Sequence, residues 1–140
     1  MNLAKYLWLA GSAVAGALGS IHLLYTFFSN KFLPRNGQLM EEMKKTSPVI
    51  SRDLTMWNAW VGFNGSHSIG IIFISVLNIY IGLILFPVFQ KKDFYFLLNI
   101  ATMLFYVFLA SKYWFSKPLI GVCIVLGCYL VSYILVIVNR

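Results

Sequence analysis

Charge is what this sequence has least of. Among 140 residues there are 11 Lys or Arg and only 4 Asp or Glu. Charged residues make up 11% of the chain, against about 25% in a soluble domain. So few polar side chains cannot cover a water-facing globule, and a soluble enzyme is excluded. A hydrophobic content of 60% likewise excludes a disordered chain. Cysteine is scarce too: Cys123 and Cys128 are the only two. Lying five apart in one apolar run, they stand about 140° apart around a helix axis and cannot pair there. A disulfide scaffold is excluded, and both read as small packing residues. No internal repeat or low-complexity segment is present.

The four acids, Glu41, Glu42, Asp53 and Asp93, all fall outside the long apolar runs. With no carboxylate inside a run, Ser66 and Ser68 beside His67 lack the acid that a Ser–His–acid hydrolase needs. Two histidines without a carboxylate also make a poor ligand set for zinc or non-haem iron. The net charge is +7, but the cations sit mostly in loops and at run ends, where membrane proteins place them for topology and lipid headgroups. Nucleic acid is therefore not an expected partner.

What is abundant is apolar sequence. Four spans of about 20 residues would use about 80 positions, and 60% of 140 is 84. The expected fold class is all-α: a polytopic membrane protein, one antiparallel four-helix transmembrane bundle over residues 1–140. The spans are read at about 3–28, 56–86, 94–110 and 119–138, with a long first loop over 29–55. The first run is too long for the h-region of a signal peptide and reads as a span without cleavage. A multi-pass protein of the cell (inner) membrane follows. Seven cations in the first and third loops against four on the other side favour the long loop inside.

Within the long loop, Asn36 can cap a short helix over Gly37–Lys45. Leu39, Met40 and Met43 lie on one side of it and charges cover much of the rest, the pattern of an interfacial helix. Ser47-Pro48 reads as a second helix start. The second span is longer than the hydrocarbon core, so it is tilted, kinked or projecting, and it stops at Pro87. In the first span, Gly11, Ala15 and Gly19 share one stripe that admits a close neighbour. His22 and Thr26 continue that stripe. Gly62, Ser66 and Gly70 form a similar stripe on the second span, suited to packing on the first.

Both histidines fall inside spans, in the half of the bundle nearest the long loop. Trp57, Trp60, Asn64 and His67 recur at i, i+3, i+7 and i+10, one helical face. Tyr25, Lys112, Tyr113 and Trp114 are expected at the same level. Intramembrane polar residues are functional candidates by default because an unpaired polar group in hydrocarbon is costly. The inventory of aromatic walls, amide, hydroxyl and imidazoles describes a pocket. The structural alternative is that His22 is interhelical hydrogen-bond glue and that the tryptophans are interfacial anchors. A further alternative is b-type haem ligated by His22 and His67. A channel would need a continuous polar lining, and the second half of the second span offers only Asn78.

The strings HLLYTFFSNKFLPR (residues 22–35) and SPVISRDLTMWNAWVGFNGSHSIG (residues 47–70), with KYWFSKP (residues 112–118), resemble a family of small bacterial four-span membrane proteins of unassigned function. A looser, fold-level similarity is to DoxX-like membrane proteins. The resemblance covers most of the chain and implies fold and membrane location, with no activity or cofactor attached. Its motif positions are His22, Tyr25, Arg52, Thr55, Trp57, Trp60, Asn64, His67 and Ser68.

The two readings meet at the loop-one end of the bundle. The expected site binds an apolar or amphipathic small molecule through His22, Tyr25, Trp57, Trp60, Asn64, His67 and Ser68, with the loop helix as a lid. Arg52 and Asp53 stand behind it, Asp53 as an acidic partner for His22 or Arg52 if the loop folds back. Expected partners are membrane lipids, a lipophilic small molecule, and either further copies of the chain or a companion membrane subunit. That last reading makes the protein an accessory subunit of a larger complex.

Overall fold

A computed structural model describes residues 2–140, and among them every regular element is helical. The first span is helix α1, Asn2–Phe28. The loop helix α2 covers Gly37–Lys45, with the Asn36 side chain accepting from the Gln38 amide at 2.9 Å. That bond satisfies one of the orphan N–H groups at the helix start, as its sequence requires. Helix α3, Met56–Tyr80, runs into a π-helical turn at Ile81–Leu85 and a short α4, Phe86–Phe89. Helices α5, Asp93–Tyr113, and α6, Ser116–Val138, complete the chain. Four stretches, Asn2–Phe28, Met56–Phe89, Asp93–Tyr113 and Ser116–Val138, are long and apolar enough to cross a membrane. The protein is a multi-pass integral membrane protein of the four-helix class.

Three boundaries differ from the sequence reading. Ser47-Pro48 does not start a helix: Thr46 caps the end of α2, and Pro48 opens a turn whose carbonyl accepts from the Ser51 amide at 3.2 Å. Thr55 caps α3 instead, its hydroxyl accepting from the Asn58 amide at 3.2 Å. The fourth span starts at Ser116 and not at about residue 119: Ser116-Lys117-Pro118 is the first turn of α6, where a proline's missing N–H has no intrahelical acceptor to lose. The second span does not stop at Pro87. The π-helical turn lies just ahead of that proline. In an α-helix Pro87 would face the Leu83 carbonyl without an N–H to give it. The Lys5 ammonium donates to that carbonyl at 3.2 Å, which explains why a cation is tolerated near the start of an apolar span.

The chain divides into two compact units, residues 1–18 with 72–140 and residues 19–71. The first unit is itself a four-helix bundle organised around Trp8. The Trp8 ring is fully buried. It stacks on Tyr129 at 4.5 Å and meets Phe89 at 4.6 Å and Phe96 at 5.1 Å. Aromatic rings favour such offset and edge contacts. Polar groups close a directed ring around this core. The Trp8 indole N–H donates to the Asn78 carbonyl at 2.9 Å, and the Asn78 amide donates to the Tyr129 hydroxyl at 3.1 Å. The Ser12 hydroxyl donates to the Trp8 carbonyl at 2.8 Å, so the Tyr129 hydroxyl donates to Ser12 across 3.0 Å. Asn78 also reaches Asn99 at 2.7 Å, Ser75 donates to the Ser12 carbonyl at 2.6 Å, and Ser132 to the Ala4 carbonyl at 2.7 Å.

Small residues set the approach of α1. Gly11, Ala15 and Gly19 are all buried, as their stripe implies. A Cβ on Gly11 would lie 2.9 Å from the Cys128 Cβ, and one on Gly82 2.7 Å from Leu9. Cys128 is therefore a packing residue, but Cys123 is exposed and is not. The stripe on α3 behaves differently from its expectation. A methyl group added to Gly62 or Gly70 would meet nothing within 4 Å, whereas one on Gly65 would meet the Phe27 ring at 3.1 Å. The close contact with α1 in the second unit thus runs through Gly65.

Candidate functional site

The second unit comprises the end of α1, the long loop with α2, and the first half of α3. Its polar centre is Asn64, which is buried. The Asn64 amide nitrogen donates to the Trp60 carbonyl one turn earlier, at 2.8 Å. Its oxygen therefore faces α1 and pairs with His22 Nε2 at 2.9 Å. An amide oxygen can only accept, so this network assigns the hydrogen to His22 Nε2. Next to it, the His67 ring makes an edge-to-face contact with His22, centroids 5.4 Å apart, and stacks parallel to Phe63 at 6.1 Å. Both imidazoles are half-buried.

The loop folds onto this cluster through Phe32. The Phe32 ring packs on His22 at 4.6 Å, and its carbonyl accepts from the Trp60 indole N–H at 3.2 Å. A continuous chain results: His22 donates to Asn64, Asn64 to the Trp60 backbone, and the Trp60 ring to the Phe32 backbone. Two helices and the loop are tied by three hydrogen bonds, each placed by a neighbouring one. Above it lies an open groove of about 440 Å³, lined by Lys31, Phe32, Leu33, Pro34, Leu39, Met43 and Trp60. That volume falls within the roughly 300–1,000 Å³ of small-molecule sites. Leu39 and Met43 come from the apolar side of α2.

The sequence-derived residues separate into four groups. Trp60, Asn64 and His67 come together, as their shared face implies, and His22 of α1 joins them. Trp60 alone of the seven candidates lines the groove. Tyr25, Trp57 and Ser68 do not line it. Tyr25 is exposed, with its ring 6.4 Å from Phe32; Trp57 is half-buried on α3. Ser68 is fully buried and its hydroxyl is engaged by the Asn64 carbonyl at 2.8 Å. Arg52 and Asp53 are exposed on the loop. Asp53 accepts from the Ser51 hydroxyl at 3.3 Å within its own turn, and it is Asn64, not Asp53, that holds His22. Lys112, Tyr113 and Trp114 belong to the first unit, where the Trp114 ring packs against Tyr106 at 6.0 Å.

Five groove residues, Phe32, Leu33, Pro34, Leu39 and Met43, escape a reading built on intramembrane polar groups, because they are apolar. The signal for the first three is the string over residues 22–35, and for the last two the apolar side of the loop helix.

The cluster is poorly shaped for haem. His22 Nε2 carries a hydrogen committed to Asn64, and an edge-to-face pair of imidazoles leaves no plane between them for a macrocycle. Among the described residues no three His, Cys, Asp or Glu side chains gather as a metal shell. No protein-family model, curated protein or solved structure matches the chain.

Proposed function

We propose that this protein is a membrane-embedded binding module for an apolar or amphipathic small molecule, and that the loop-one groove with the His22–Asn64–His67 cluster beneath it is the site. The observation that carries this reading is Trp60. Its ring lines an apolar groove of suitable size, and its backbone is hydrogen-bonded through Asn64 to His22, whose ring contacts His67. Apolar walls supply affinity, and the hydrogen-bonded cluster beneath them holds Trp60 in place as one of those walls. The α2 helix serves as the lid, presenting Leu39 and Met43 to the groove and its charges away from it. A molecule dissolved in the bilayer reaches such a groove without crossing water.

Native mass spectrometry of the full chain released from mild detergent tests this. A co-purifying lipophile is expected on the wild type and lost in the Asn64→Leu/His67→Leu double variant, with the protein still folded. Equal retention by both, or a Soret band abolished by His22→Ala, would overturn it.

A further inference from the structure

The groove has one charge, and among the described residues that charge has no counter-ion. Six of its seven lining residues are apolar or aromatic; the seventh is Lys31. The ion pairs among the described residues are Lys44–Glu41 and Arg140–Asp93, so Lys31 takes part in neither. The nearest acid in sequence beyond the groove, Glu41, is already held by Lys44 at 2.9 Å. Asp53 is turned onto Ser51. The loop as a whole carries five cations, Lys31, Arg35, Lys44, Lys45 and Arg52, against the three acids Glu41, Glu42 and Asp53. Lys31 is exposed at the groove's rim, so a neutral occupant would draw nothing from its ammonium, a cationic one would be repelled, and an anionic one would be attracted. Lysine suits a compact anion, because its ammonium is a point charge with three donors on a flexible stem. Its apolar stem can lie along the groove wall while the head stays at the rim.

We infer that the groove takes an anionic single-chain amphiphile from the bilayer, its carboxylate or phosphate head on Lys31 and its chain against Phe32, Leu39, Met43 and Trp60. This rests on the proposed binding function and names its ligand class. The chain number follows from size: an open groove of about 440 Å³, near the lower end of the range for small-molecule sites, has wall for about one acyl chain. The head's position follows from depth. Lys31 stands three residues past the end of α1, the level at which cations at span ends meet lipid headgroups, and the His22–Asn64 pair lies about one and a half turns or more further into the span. In this arrangement the imidazole cluster braces the groove floor through Trp60, and Lys31 does the charge recognition.

The test uses the full chain in nanodiscs of phosphatidylcholine and reads quenching of indole fluorescence by brominated chains. The probes are dibrominated stearate and the matching dibrominated stearyl alcohol. Trp60→Phe supplies the blank, and only saturable quenching lost in that variant is scored. Stearate is expected to saturate the Trp60 signal in the wild type, and Lys31→Gln to weaken its apparent affinity about tenfold or more, the value of a charge-assisted hydrogen bond. Lys31→Arg restores most of the affinity, and Lys31→Glu weakens it further. The alcohol is expected to bind more weakly and equally to wild type and Lys31→Gln, which also shows that the variant is folded. Equal binding of acid and alcohol, unchanged in Lys31→Gln, would overturn the anionic class and leave the groove as a site. No saturable Trp60 quenching by either probe would overturn the binding function itself.

Discussion

The two units hold polar clusters of similar size and opposite character. Around Trp8, each N–H and O–H of Trp8, Ser12 and Tyr129 points at an acceptor inside the ring, and the whole is sealed by Phe89 and Phe96. Around Asn64, the chain of bonds is linear and ends at the loop, with Trp60 41% exposed over an open groove. A closed, satisfied network has no spare donor to offer a ligand, and its value is in fixing helix positions. An open one that ends on an exposed aromatic ring retains a surface to offer. Counting intramembrane polar residues does not separate these cases; following each hydrogen to its acceptor does.

The sharpest break of this comparison is Trp8→Ala. It removes the ring on which three aromatic contacts converge, and a loss of about 3 kcal/mol is expected, the low end for a large aromatic because lipid rather than water surrounds the bundle. Thermal unfolding in detergent measures it. Tyr129→Phe comes next. It deprives the Asn78 amide of an acceptor and Ser12 of a donor, at about 1–2 kcal/mol by the same measurement. The double variant Asn64→Leu/His67→Leu is expected to cost less in unfolding, about 1 kcal/mol, while abolishing ligand retention. A large stability loss with retention intact would reverse the roles assigned to the two clusters.

Smaller effects probe the packing. Gly62→Ala and Gly70→Ala face open space and are each expected to gain up to about 1 kcal/mol from helix propensity. Gly65→Ala should forfeit that gain against Phe27. The smallest expected effect is on α2. The Lys44 ammonium beside Glu41 holds the Glu41 carboxyl below its usual range. A lowered folded value means that its support of α2 is present above the ordinary carboxylate range and is lost as the pH falls through the lowered one. Proteolysis of the loop over a pH series should show cleavage near α2 rising only at the acid end, and Glu41→Gln should flatten the profile.

Much of this architecture is legible in the residues themselves. Asn36 announces α2 because a capping side chain acts two residues away. The Trp60–Asn64–His67 face follows from helical period alone, and the Gly11–Ala15–Gly19 stripe from spacing by four. The departures share a cause. Ser47-Pro48 satisfies local rules for a helix start, yet Thr55 wins because Met56 donates to the Thr46 carbonyl at 2.7 Å and closes the loop there. Gly62, Gly65 and Gly70 are equivalent as small residues, and only the azimuth of α1 chooses Gly65. Asn78 reads as an isolated amide among aliphatics because its partners, Trp8, Asn99 and Tyr129, lie 70, 21 and 51 residues away.

Sequence alone therefore determined the solvent, the number of spans, the loop helix and the face that gathers the imidazoles. All of these depend on composition or on short helical periods. Tertiary structure decided which polar residues are satisfied, that Lys5 serves the carbonyl Pro87 cannot reach, and that the groove is walled by loop residues with Lys31 at its edge. Those outcomes depend on which distant helix supplies each acceptor, and hydrogen bonds between helices are fixed by relative azimuth and depth, which no local pattern encodes.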